Sequence, residues 1–167
     1  ASADGAAIYI QGDRTIINNT EFFNHESETG TVYINGSYTK VIDSTFRDNE
    51  AVEGAGIYIE GNDTVISDST FETNVAVDGS GIYIIGQRTE ISGSTFEYNN
   101  ATNGGAVYVT HSDINGTIRG STFVNNAASG YGGAVYFGGS GEVINCSFNG
   151  NNATYGGALY FDGDCKV

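Results

Sequence analysis

Two aspartates, Asp43 and Asp68, stand at the same place in successive copies of a repeat of about 25 residues. Carboxylates stacked at strand spacing have the makings of a weakly bound Ca²⁺ site, or of a pair in which one acts as a base with a raised pKa. Their turn-like surroundings favour a plainer reading, as turn carboxylates splayed into water. Asp63 with Arg88, and Arg47 with Glu72, are matched in the same way and read as surface ion pairs of small energetic value. Nowhere do three consecutive repeats combine a carboxylate cluster with a basic residue, so no catalytic residues are assigned and no cofactor is expected. His25 falls in a column otherwise filled by Asn. His111 lies in the longest repeat, within Thr110-His111-Ser112-Asp113-Ile114-Asn115-Gly116, which reads as a solvated bulge. No phosphate loop, zinc-ligand spacing or nucleophile motif is present.

Two cysteines remain. Cys146 replaces a Ser that elsewhere precedes a Phe by two, as at Ser69 and Ser94, and is expected to point inward as a small apolar side chain. Cys165 aligns with Gly141 in what reads as an exposed turn, which makes it the candidate for a disulfide between chains. Asn18, Asn35, Asn62, Asn100, Asn115 and Asn152 head Asn-x-Ser/Thr sequons, several of them on predicted turns, and are candidate N-glycosylation sites. Asn145 heads a seventh, less suitable because it falls in a predicted strand.

The formal charge of −14 repels nucleic acid phosphates and anionic membrane surfaces, so neither is an expected partner. No apolar run is long enough to span a bilayer. The opening Ala1-Ser2-Ala3 is compatible with removal of a secretion signal. The hydrophobic content is too high for a disordered acidic tail.

The elements that position these residues are short strands. Gly104-Gly105-Ala106-Val107-Tyr108-Val109 returns at Gly132–Phe137 and Gly156–Phe161, with looser copies around Tyr9, Tyr33, Tyr58 and Tyr83. Successive tyrosines are 24, 25, 25, 25, 28 and 24 residues apart. A fixed period of this length marks a solenoid whose units bury their apolar faces only on one another. Ile57-Tyr58-Ile59 and its equivalents carry β-branched and aromatic residues with strand alternation, and Gly, Asn, Asp and Ser fill the gaps. No segment shows a convincing helical period.

Stacking places like on like. Ile8, Val32, Ile57, Ile82, Val107, Val135 and Leu159 form one aliphatic column, and Phe22, Phe46, Phe71, Phe96, Phe123 and Phe148 fill the core. Asn49, Asn74, Asn99, Asn126 and Asn151, each three residues past a Phe, read as an inward amide ladder. Tyr33, Tyr58, Tyr83, Tyr108 and Tyr136 alternate with the aliphatics and are expected to form an exposed aromatic stripe.

The Gly-Gly-Ala-aliphatic copies at Gly104, Gly132 and Gly156, together with Phe-x-x-Asn at Phe46, Phe71, Phe96, Phe123 and Phe148, resemble two groups of repeats. One is the right-handed parallel β-helix repeats of archaeal, especially methanogen, adhesin-like and sheath surface proteins. The other is the repeats of chlamydial polymorphic outer-membrane proteins. Gly54-Ala55-Gly56 and Gly79-Ser80-Gly81 depart from the pattern by losing the double Gly. The resemblance implies an all-β, right-handed parallel β-helix of about seven rungs of 24–28 residues, one domain over 1–167, located extracellularly at a cell surface, wall or sheath. No segment resembling an end cap is evident. The outermost strands, with Ile8, Tyr9, Ile10 and Leu159, Tyr160, Phe161, are therefore expected to act as assembly edges. The expected role is non-enzymatic and structural: a filament, sheath or wall subunit that associates with itself end to end. The alternative is an adhesin-like rod binding glycans through its tyrosine stripe and its turns. A polysaccharide lyase or hydrolase, which this architecture also supports, is disfavoured by the missing charged cluster.

Overall fold

In the computed structural model, residues 5–110 and 114–167 are described. The chain winds as a parallel β-solenoid with three faces. The first sheet stacks Ile8–Ile10, Val32–Ile34, Ile57–Ile59, Ile82–Ile84, Val107–Val109, Val135–Phe137 and Leu159–Phe161 in that order. The second sheet runs from Ile16–Asn18 to Cys165–Lys166 through seven strands, and the third from Glu21–Phe23 to Ser147–Asn149 through six. The solenoid thus makes six full rungs and two strands of a seventh. The strand pairings among the described residues are parallel, and all but one are in continuous register, as in Ile57 against Ile82 and Phe71 against Phe96.

Strands this short need sharp corners, and the corners are built from left-handed residues. Columns of positive φ recur once per rung: Arg14, Tyr38, Asp63, Arg88, Asn115; Asn19, Asp43, Asp68, Gly93, Gly120, Asn145; Asn24, Asp48, Thr73, Tyr98, Asn125, Gly150. Asn and Asp tolerate this region because their short polar side chains bond locally. Asp43 and Asp68, with φ of 47° and 52°, are exposed corner residues, so the plainer reading of them holds. A fourth column is all Gly. At Gly79, φ is +55° and a Cβ would lie 2.8 Å from the Cβ of Tyr108 on the next rung, so both conformation and space demand glycine there.

Alternation sends one set of side chains inward. Ile34, Ile57, Ile59, Ile66, Ile82 and Ile91 are fully buried. The Phe column runs up the core with ring centroids 4.7–4.9 Å apart, from Phe22 to Phe148. That spacing is the interstrand distance itself, so ring stacking and the backbone ladder enforce the same register.

Residues 111–113 of the long repeat, where a solvated bulge is expected, lie outside the described residues. Ile114–Arg119 extends the second sheet to a six-residue strand, and its register against Ser140–Ile144 shifts between Ile114 and Gly116. His111 lies outside the described residues.

Phe96 is fully buried between two stacked neighbours, whereas Phe148 is half-buried and stacked on one side only. Phe96→Ala is expected to cost about 3–5 kcal/mol of unfolding free energy, read from the urea midpoint, and Phe148→Ala roughly half as much. Equal costs would contradict the stacked-core description.

Candidate functional site

The most extensive polar feature is the amide ladder inside the solenoid. Asn49, Asn74, Asn99 and Asn126 are at most 1% exposed. In each, Nδ2 donates to Oδ1 of the Asn one rung on, at 3.0 Å, and also to the carbonyl of the Phe one rung back, at 2.9–3.2 Å. The backbone N–H of each donates to the same Oδ1 at 3.0–3.1 Å. Both Nδ2 protons and both Oδ1 lone pairs are thereby used, which is what burial of an amide requires. The expected ladder is present. His25 opens it: its backbone N–H and its Nδ1 both reach Asn49 Oδ1, at 3.1 and 3.2 Å. That oxygen is an acceptor, so Nδ1 carries the proton.

A second ladder went unrecognised in the sequence. Ser44, Ser69, Ser94 and Ser121 are buried, and each Oγ bonds the carbonyl two residues back while accepting the N–H of the preceding rung. The signal was the Ser two positions before each Phe. Cys146 takes the same place and points its Sγ at the carbonyls of Ile144 and Ile118.

The tyrosine column corrects an expectation. Tyr33, Tyr58 and Tyr136 are only 7–8% exposed, and Tyr83 and Tyr108 are half-buried. They do lie on the outer side of the first sheet, but ring stacks on ring at 4.5–5.2 Å. The glycine corners close over their bases. Their edges are flanked by carboxylates: Glu60 bonds the Tyr33 hydroxyl, Glu53 bonds that of Tyr83, and the Tyr136 hydroxyl lies 3.5 Å from Asp162. Burial, with these charges nearby, pushes the Tyr136 hydroxyl up to about 12. Alternation decides which face a side chain leaves from, and the neighbouring backbone decides whether water reaches it.

The charged residues do not converge on a reactive centre. Asp63 pairs bidentately with Arg88 at 2.8 Å, as expected. Arg47 instead takes Glu21, one rung back, at 2.8 Å, because its side chain leans towards that rung beside the Phe23 ring; Glu72 contributes only at longer range. Arg119 is held by Glu90. Asp43 and Asp68 line separate surface depressions. Among the described residues no group of three or more His, Cys, Asp or Glu comes together. Glu53 and Asp78 are stacked on adjacent rungs, and both carboxyls are pushed above the ordinary range, chiefly by burial. Asn103 Nδ2 donates to Asp78 at 2.9 Å.

All the sequon asparagines, Asn145 included, are exposed. Asn145 sits at a corner with φ 51° rather than within a strand. Cys165 corrects a second expectation. It lies in a strand pairing Gly141, half-buried, with its Sγ towards the Gly139 carbonyl and its side chain packed against the core. Burial pushes its thiol up, so it is poorly placed and poorly ionised for bridging between chains. Both cysteines are free thiols.

The expected assembly strands are the outermost of the first sheet. Among the described residues, Ile8–Ile10 pairs with Val32–Ile34 and Leu159–Phe161 with Val135–Phe137. Tyr9 is 48% exposed where Tyr33, Tyr58 and Tyr136 are covered. Among the described residues no strand of the third sheet lies beside Leu159. A cavity of about 510 Å³ opens there over Val143, Cys146, Phe148, Leu159 and Val167.

Two family models match the chain: the right handed beta helix region over residues 1–153, and the Chlamydia polymorphic membrane protein repeat over residues 145–162. No curated protein and no solved structure matches it.

The raised carboxyl pKa values fix a sign. An acid whose pKa is higher folded than unfolded lowers stability as pH climbs above the ordinary carboxylate value, because the native state resists losing that proton. Asp78→Asn is therefore expected to raise the melting temperature at pH 7 by about 2 °C, solvent screening keeping the gain small. At pH 3 the substitution should change nothing. A loss of stability at pH 7 would contradict this account of Asp78.

Proposed function

This chain belongs to the right-handed β-helix family, and from that premise we propose that it is a non-catalytic structural rod, a subunit of a cell-surface layer or filament that joins others end to end. The polymorphic membrane protein repeat over residues 145–162 points to a surface or outer-membrane location.

One observation carries the proposal. The buried Asn ladder bonds each interior rung to like residues on both neighbours, as Asn99 accepts from Asn74 and donates to Asn126 and to the Phe71 carbonyl, so the rod is lengthened by any rung that presents the same columns. The outer strands Ile8–Ile10 and Leu159–Phe161 present the same column pattern, aliphatic, Tyr, then Ile or Phe. A second copy set in register would continue the first sheet with Ile8 on Leu159, Tyr9 on Tyr160 and Ile10 on Phe161. The basic residues support the non-catalytic part of the reading, since Arg47, Arg88, Arg119 and Lys166 are each held by a carboxylate one rung back. The rod requires no cofactor.

The glycan-binding alternative rested in part on an exposed tyrosine stripe, and the burial of Tyr33, Tyr58 and Tyr136 removes that part of its support.

Negative-stain electron microscopy of the purified chain tests the reading. Unbranched fibres with an axial repeat of about 34 Å, the height of seven first-sheet strands, are expected. They should survive reductant, because Cys165 is packed inward. Discrete particles of single-rod length at every concentration would sink the proposal.

A further inference from the structure

Between the Asn ladder and the glycine corners the rungs carry short segments on the side of the rod: residues 26–29, 50–53, 75–78 and 100–103. Backbone bridges hold them in columns. One column reads Glu26, Glu50, Val75, Asn100. A second, set by N–H bonds from Val52 to Glu28, from Val77 to Val52 and from Thr102 to Val77, reads Glu28, Val52, Val77, Thr102. A third reads Thr29, Glu53, Asp78, Asn103.

The first two columns face water, and polar residues fill them at Glu26, Glu28, Glu50, Asn100 and Thr102. Three interior positions depart from that rule. Val52, Val75 and Val77 are 49%, 43% and 48% exposed, although further rungs lie on both sides of them. Single apolar residues on a surface are ordinary, but three that adjoin and interrupt polar columns serve no packing need of the rod. Val52 and Val77 are one strand spacing apart, about 4.8 Å, and Val75 and Val77 about 6.6 Å. At the adjoining corner one rung on, Tyr98 is 54% exposed in a column otherwise built from Asn, Asp, Thr and Gly.

This apolar island is set in charge of one sign. Glu26, Glu28 and Glu50 are exposed beside it, and Glu53 and Asp78 flank it in the third column. The four segments contain no Lys or Arg, and among the described residues no Lys or Arg from elsewhere pairs with these carboxylates. The chain's own cations are committed: Arg47, Arg88, Arg119 and Lys166 to carboxylates one rung back, and Arg14 to the Tyr38 ring. A second copy would have to break such pairs to neutralise this face.

We propose that this lateral face is a docking surface for a basic segment of another protein, in which large apolar side chains are flanked by Lys or Arg. The apolar side chains cover the three valines and carry the selectivity. The cations meet the glutamates and speed encounter. Burial already pushes the Glu53 and Asp78 carboxyls up, and an arriving cation opposes that rise. The face lies along the side of the rod, so the proposal stands apart from end-to-end association.

The probe is a capped peptide, Lys-Lys-Leu-Lys-Leu-Lys-Lys, whose leucines share the two-residue spacing of Val75 and Val77. It is titrated into the 167-residue protein and followed by amide NMR shifts and calorimetry. Expected are saturable 1:1 binding, shifts centred on Val52, Val75 and Val77, and falling affinity as salt is raised. The peptide with Ser in place of both Leu is expected to bind about tenfold more weakly. The same loss is expected for the leucine peptide on Val77→Thr, which copies Thr102 of the next rung; an unchanged melting temperature checks that this variant is folded. Absence of binding up to millimolar peptide, shifts centred on another face, or no loss with the serine peptide or with folded Val77→Thr would overturn the proposal, the last two leaving only diffuse attraction to an acidic surface. So would association of the protein with itself through this face that excludes the peptide, since a second copy would then be the occupant.

Discussion

A buried primary amide sets the terms of this structure. An Asn side chain has two donors and two acceptor lone pairs, and at the centre of a solenoid none of them reaches water. The only arrangement that satisfies all four at every rung is repetition: the same residue at the same height, one interstrand spacing away, with the Phe carbonyl of the rung below as the second acceptor. Asn74 and Asn99 meet this condition completely. Slipping one strand by a residue would strand several buried polar groups at once and turn the Phe column to solvent. The ladder therefore specifies register as firmly as the hydrophobic core supplies affinity. The serine ladder repeats the logic on the other side of the Phe column.

A ladder has direction, and so does the rod. Each rung's amide protons point towards the next rung's oxygen, so the two ends are chemically different. His25 stands in the Asn column and reaches Asn49 with a ring nitrogen in place of an amide. Asn151 accepts from Asn126 and donates to the Phe123 carbonyl. A structure whose internal bonds are all between neighbours is extended by whatever presents the same neighbours. That property is what supports the proposed structural role.

Much of this was legible in the sequence. The period gave the rungs, and the columns of Ile, Phe and Asn gave the core and the ladder, because identical residues at fixed spacing have few other uses. What remained hidden had physical causes. Tyr33 and its column-mates alternate with core residues and so read as exposed, yet stacking and the glycine corners cover them, and no alternation rule contains that information. Arg47 has carboxylates on both sides along the rod, and spacing does not say which way a long side chain leans. Cys165 was assigned to a turn because its column-mate is Gly141, but that glycine sits within a strand, beneath the ring of Phe137. The serine ladder was visible as a repeated residue. It lacked a stated direction, since Ser and Thr sit side by side and only one of them points inward.

The central claim is that the amide ladder is buried, fully bonded and formed cooperatively along the rod. Side-chain hydrogen exchange of the Asn Nδ2 protons tests it most directly. Protection at Asn74 and Asn99 is predicted to approach that of the most protected backbone amides, with Asn151 exchanging far faster. Exchange at Asn74 and Asn99 as fast as at the exposed corner residue Asn62 would contradict the account.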